Sequence, residues 1–207
     1  MVVATHGAMI PAGYLLKRVA QTPDWLKPCP AHIVDIYSVA DCVSPSIVDV
    51  QEAWKQNGFG IANSPIDLKH LVDEASIDTS DAKLFYYEAF EQELDSDGWT
   101  FNKQDWQPIA PASAAAVKSD VLKPTETMDI KLAGYDVVVF GDYLEHSPLS
   151  CNHIAQTETV NDHCLFDDLE QARLAIENGT FGGGCEEGIY KIFSVYAVSD
   201  EYVCSVF

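Results

Sequence analysis

The chain has 207 residues, 47% hydrophobic and 11% aromatic, with 32 acidic against 12 basic side chains and a formal net charge of -20. That apolar content suffices for a packed core and excludes a disordered tail. The charge opposes contact with phosphate backbones and anionic lipid and favours a basic partner, although plain solubility accounts for it as simply.

No stretch approaches the roughly 20 consecutive apolar residues that span a bilayer. His6, Gly7, Pro11 and Gly13 interrupt the beginning of the chain, which lacks the basic-then-apolar order of a signal peptide. A cytoplasmic location is therefore expected, with six reduced cysteines and no disulfide. No C-x-x-C pair occurs, which removes the common redox and zinc-ribbon patterns.

In chain order, residues 1–31 predict a short strand around Tyr14, Leu15 and Leu16, then an irregular arm through Pro23, Pro28 and Pro30. The β-branched and aromatic run 32–39 predicts a strand. Ser44 and Pro45 predict a helix start, with Ile47, Val50, Ala53 and Trp54 on one face up to Asn57 and Gly58. A short strand is expected over 59–62. A second helix follows Ser64 and Pro65, with Leu68, Leu71, Val72 and Ala75 on its apolar side. The aromatic stretch 83–94 predicts a strand, a turn over 95–98 follows, and 99–101 is expected to pair back as a hairpin.

From 109 to 128 the composition shifts to Ala, Pro, Ser, Lys and Thr, the mark of a surface connector. Beyond it, 135–140 predicts a strand and Ser147-Pro148 a break. Asp167 with Glu170 predicts a capped helix over 167–178 that stops at Gly179. Strands are expected over 190–198 and 202–206. The expected organisation is an N-terminal unit over 1–108, the connector over 109–128 and a C-terminal unit over 129–207, packed as one globular domain.

The two units share an order of features. Asp35 and Asp41 answer Asp136 and Asp142, Ser44-Pro45 answers Ser147-Pro148, and Asp67 answers Asp168. Lys83 and Ala89 likewise answer Lys191 and Ala197. The expected fold is α+β, a mixed or antiparallel sheet with a few short helices, built by tandem duplication of a β-α-β-containing unit. A groove between the halves is then the natural binding site.

Three kinds of chemistry merit weighing. Cys151, His153, His163 and Cys164, with Cys185, are zinc-ligand types. On a strand, however, His163 and Cys164 point to opposite faces, so neither a metal nor another cofactor is expected. Cys151, placed after Ser147-Pro148, is a candidate nucleophile with His146 or His163 as base and Asp162 orienting it. The bland alternative is an inert buried thiol. Gly182 to Gly184 lacks the Lys-Ser/Thr of a phosphate loop and adjoins Glu186 and Glu187.

The densest charge run is Glu88, Glu91, Glu93, Asp95 and Asp97, interleaved with Phe90, Leu94 and Trp99. It is either a solvated hairpin or an acidic-aromatic surface for a basic protein. The leading expectation is a small acidic protein-binding protein, an inhibitor or immunity-type neutraliser of a basic protein, that contacts neither nucleic acid nor membrane. Glu91, Glu93, Asp95, Asp97 and Trp99 are its expected contact residues. The alternatives are a Cys-dependent hydrolase or transferase centred on Cys151, His163 and Asp162, and an inhibitor whose carboxylates mimic nucleic-acid phosphates.

Overall fold

Stretches that are apolar at consecutive positions, rather than at alternate ones, set the architecture. Leu84, Phe85, Tyr86 and Tyr87 are buried in succession, as are the six residues from Tyr190 to Val195. A strand with both of its faces buried belongs in the middle of a sheet covered on both sides. The computed structural model describes residues 9–21, 32–48, 59–90, 100–101, 108–109, 120–140, 144–182 and 184–207.

The main strands are β1 (Met9–Arg18), β4 (Ala82–Phe90), β7 (Ile130–Phe140), β8 (Leu144–His146) and β9 (Ile189–Val198). They form one five-stranded sheet in the order β1-β4-β9-β7-β8, antiparallel at every step. The fold is α+β, as the sequence leads one to expect. Two short ribbons accompany the sheet: β2 (Ala20–Gln21) with β3 (Asp35–Ile36), and β5 (Thr100–Phe101) with β6 (Pro108–Ile109).

Helix α1 (Pro65–Ala75) begins at Ser64, whose hydroxyl accepts the Asp67 amide, and buries Leu68 and Val72. Helix α2 (Pro148–Cys151) is a single turn. Helix α3 (Leu169–Glu177) buries Ala172, Ala175 and Ile176. Helix α4 (Asp200–Val206) closes the chain. Pleating divides the core: Val137 and Val139 join the cluster around α3, with Phe166, Tyr190 and Ile192, while Val138 joins Phe85, Tyr87, Phe193 and Val195.

Several local expectations are corrected. Of the strand expected over 32–39, only Asp35–Ile36 pairs, and with β2 rather than in the main sheet. Ser44 caps no helix in the described stretch. Its hydroxyl donates to Ile36 O and accepts the Ala20 amide, while Ser46 bridges to Lys17. The rest of that expected helix lies outside the described residues. Of the expected 99–101 hairpin arm, Thr100–Phe101 pairs with Pro108–Ile109; residues 91–99 lie outside the described residues. The cap of α3 is Asp168, one residue later than expected, accepting the Gln171 amide. Residues 202–206 are helical, because Ser199 accepts the Tyr202 amide and Asp200 and Glu201 occupy the first turn.

The tandem duplication is not confirmed. Its proposed first strand, around Asp35 and Asp41, does not enter the main sheet; β1 lies there instead. Some likenesses are nonetheless geometric. In β4 and β9, Tyr87 faces Val195. Lys83 and Lys191 stand equally far before that pair, and Ala89 and Ala197 equally far after it. Gly13 and Gly134 each sit at a bulge, followed by a tyrosine (Tyr14, Tyr135) that bridges to a loop residue (Ala62, Phe166) before a helix.

These two glycines meet a steric demand. Gly13 has φ +137° and Gly134 φ +148°, and a Cβ at either would stand 2.6 Å from a backbone oxygen, Ala62 O or Phe166 O. Gly13→Ala and Gly134→Ala are each expected to destabilise the fold by about 2–4 kcal/mol in urea unfolding, since backbone cannot yield as a flexible side chain does. Gly184→Ala meets open space and should stay within about 0.5 kcal/mol of the parent.

Candidate functional site

Strand register places two buried ionisable groups on one face of the sheet. Lys17 faces Lys83 across β1 and β4, and Phe85 and Tyr87 follow on that face at period two. Tyr87 faces Val195, Phe193 follows, and Phe193 faces Asp136 on β7. Lys17 and Asp136 are each only 1% exposed. Two strands lie between them, and the loop after β3 spans that interval.

Both groups hold this loop. The Lys17 ammonium donates to Val39 O (2.7 Å), Ala40 O (3.1 Å) and Asp41 Oδ1 (3.1 Å). Burial lowers its pKa and Asp41 opposes the shift; three acceptors for three N–H donors favour the charged form. On the far side, Asp136 Oδ2 accepts the Val39 amide (2.9 Å) and the Ser147 hydroxyl (2.6 Å), and Ser147 Oγ accepts the Ala40 amide (3.1 Å).

Ser147 joins this anchorage to the thiols. Its amide donates to Cys42 Sγ (3.5 Å). Its carbonyl accepts the Cys151 amide and so winds the single turn of α2. His146 ends β8 on the other side of Ser147. Cys42 Sγ, a ring nitrogen of His146 and Cys151 Sγ consequently all lie within 4.8 Å of one another. His146 Nδ1 stands 3.9 Å from Cys151 Sγ. Among the described residues, this is the one convergence of three or more Cys, His, Asp or Glu ligand atoms.

The two thiols are unequal. Cys42 is exposed, and its pKa is lowered to about 6, first by a hydrogen bond from the Cys151 thiol. The Ser147 amide, His146 and Lys17 add to the effect, while desolvation opposes it. The same hydrogen bond and burial push Cys151 far up. Cys151 also donates to Asn152 Oδ1 at 3.2 Å, and Asn152 Nδ2 donates to Gly184 O and Glu186 Oε1.

Of the residues expected from sequence, Cys151 is in this cluster and His146 touches it. His163 is elsewhere: its ring stacks on Tyr37 with centroids 4.0 Å apart. Asp162 meets the chain through its carbonyl, which accepts the Val34 amide. The zinc-type quartet is not assembled. His153 contacts Gln156, and Cys164 is buried in the core. Glu91, Glu93, Asp95, Asp97 and Trp99 lie outside the described residues. Sequence spacing gives no sign of Cys42, because only the fold brings it to Cys151 and His146. No helix among the described residues is long and apolar enough to cross a membrane. Comparison with family models, curated proteins and solved structures returned no match.

Asp136 makes the anchorage pH-sensitive. Burial, opposed by the Ser147 and Val39 hydrogen bonds, raises its pKa to about 7. The unfolded value is about 4, so this group's stabilising contribution is complete below about pH 4. It is lost as pH rises through about 7. Wild-type protein should lose up to roughly 3–4 kcal/mol from this group between acid and alkaline pH. Asp136→Asn keeps an oxygen for both donors and should flatten that dependence. Urea unfolding across the pH range checks it.

Proposed function

We propose that the protein is a thiol-dependent redox enzyme in which Cys42 is the attacking thiolate and Cys151 the resolving thiol. One observation carries the reading: an exposed thiol held against a second thiol by buried groups that favour its ionised form. This revises the expectation of a Cys-dependent enzyme, with Cys42 taking the role expected of Cys151.

In the proposed reaction the Cys42 thiolate attacks one sulfur of a substrate disulfide. The substrate S–S bond breaks and its first thiolate departs, leaving a mixed disulfide on Cys42. Cys151 then attacks Cys42 Sγ, passing its proton to the second departing thiolate. The products are a Cys42–Cys151 disulfide and a substrate reduced by two electrons. A reducing compartment such as the cytoplasm would return the enzyme to its dithiol form.

Binding of a basic protein remains a second proposal, supported by the net charge of -20. The described residues add nothing to it.

Oxidised glutathione serves as the probe for the first reading. Peptide mapping of the wild type should find a 42–151 disulfide. Cys151→Ser should instead accumulate glutathione on Cys42, and Cys42→Ser should form neither species. Modification centred on Cys185 or Cys204 would overturn the assignment, as would a Cys42 adduct that persists in the wild type.

A further inference from the structure

We infer that Cys42, His146 and Cys151 bind one thiophilic divalent ion of the zinc class, leaving a coordination position open to solvent. The inference shares two thiols with the exchange reading but does not depend on it, because it needs His146 and no substrate.

A tetrahedral zinc with S at about 2.3 Å and N at about 2.0 Å sets its S and N ligands about 3.6 Å apart. Cys151 Sγ and His146 Nδ1 are already 3.9 Å apart, and all three ligand atoms lie within 4.8 Å. The ligands therefore need to close by only tenths of an ångström on that side.

Three anchored elements deliver them, joined through Ser147. Cys42 comes on the loop pinned by Lys17 and Asp136, His146 on the end of β8, and Cys151 on the turn of α2. Ligands delivered by separate, anchored elements cost little ordering entropy when an ion arrives.

Ligand chemistry selects the ion. Two thiolates and an imidazole suit zinc and its soft neighbours, whereas calcium and magnesium require oxygen ligands. Two thiolates with neutral histidine also balance a divalent charge. The Ser147 amide directed at Cys42 Sγ supplies the N–H···S support typical around a thiolate ligand. Three protein ligands with Cys42 exposed give the open pattern of a reactive site rather than the closed pattern of a structural one. Because the ion needs both sulfurs reduced, metal occupancy and a 42–151 disulfide exclude each other. Zinc-class ions would thus hold the proposed exchange site inactive.

The test is cobalt(II) titration of the reduced, chelator-treated protein. Expected is one ion per chain, with intense thiolate-to-cobalt absorption and the visible bands of a tetrahedral site, all displaced by zinc. Cys42→Ser and His146→Ala should each weaken binding by about 100-fold or more, with folding checked by circular dichroism; Cys204→Ser should keep the spectrum. Absence of the thiolate-to-cobalt band in the wild type overturns the site, as does a band that survives both Cys42→Ser and His146→Ala. A protein that forms the 42–151 disulfide yet gives no such band loses the metal site alone. One that gives the band but resists oxidised glutathione loses only the exchange reading.

Discussion

The buried Lys17 ammonium is the constraint on which the site depends. Taking a charge out of water costs several kcal/mol, and only close, well-directed acceptors recover it. Here those acceptors are two consecutive carbonyls and the Asp41 carboxylate. The loop over 39–41 is therefore held by the penalty of leaving the ammonium unmet. Asp136, whose burial favours its protonated form, takes an amide from the same loop and the Ser147 hydroxyl. The two groups share a face of the sheet but sit on strands separated by two others. Their common loop becomes a clamp across the sheet, and Cys42 follows directly on its pinned residues.

The sequence made the main sheet legible where strands were aromatic or β-branched over several residues. The runs 83–90 and 190–198 declare themselves by composition, and their register follows once one face is assigned. Capping chemistry marked α1 and α3 to within a residue. The failures have a common source in hydrogen bonds made at a distance. Ser44 has the composition of a helix cap, yet its hydroxyl serves Ile36 and Ala20 instead. The 32–39 run has strand propensity, yet Lys17 and Asp136 claim its last backbone groups for the clamp. Local preference is a weak guide where a buried charge dictates the partner.

The site was half legible for the same reason. Cys151 and His146 are close in sequence, so their pairing is legible there. Cys42 lies 109 positions before Cys151, and nothing local distinguishes it from the other thiols. Asp136 stands out in the sequence only as a repeat feature, and its buried role as anchor belongs to the fold. The expectation against a metal at His163 and Cys164 assumes a strand there, whereas the structure puts both in a turn with Cys164 at φ +61°. In the trio that does converge, His146 and Cys151 are five positions apart in sequence and Cys42 reaches them only through the fold.

A low thiol pKa in so acidic a protein requires that near interactions outweigh far ones. With a net charge of -20, the average field opposes any new thiolate. Beyond a Debye length of about 8 Å at physiological salt, however, exposed carboxylates are largely screened. Near interactions are not: the Cys151 thiol lowers the Cys42 pKa, the Ser147 amide donates to Cys42 Sγ, and Lys17 acts from β1 beneath the loop that it pins. The thiolate is thus set locally, while the global charge governs which molecules reach it. An acidic envelope slows anionic disulfides and favours neutral or cationic ones and divalent cations. The composition that first suggested a basic partner therefore bears on the thiol reading as well, acting on encounter rather than on chemistry.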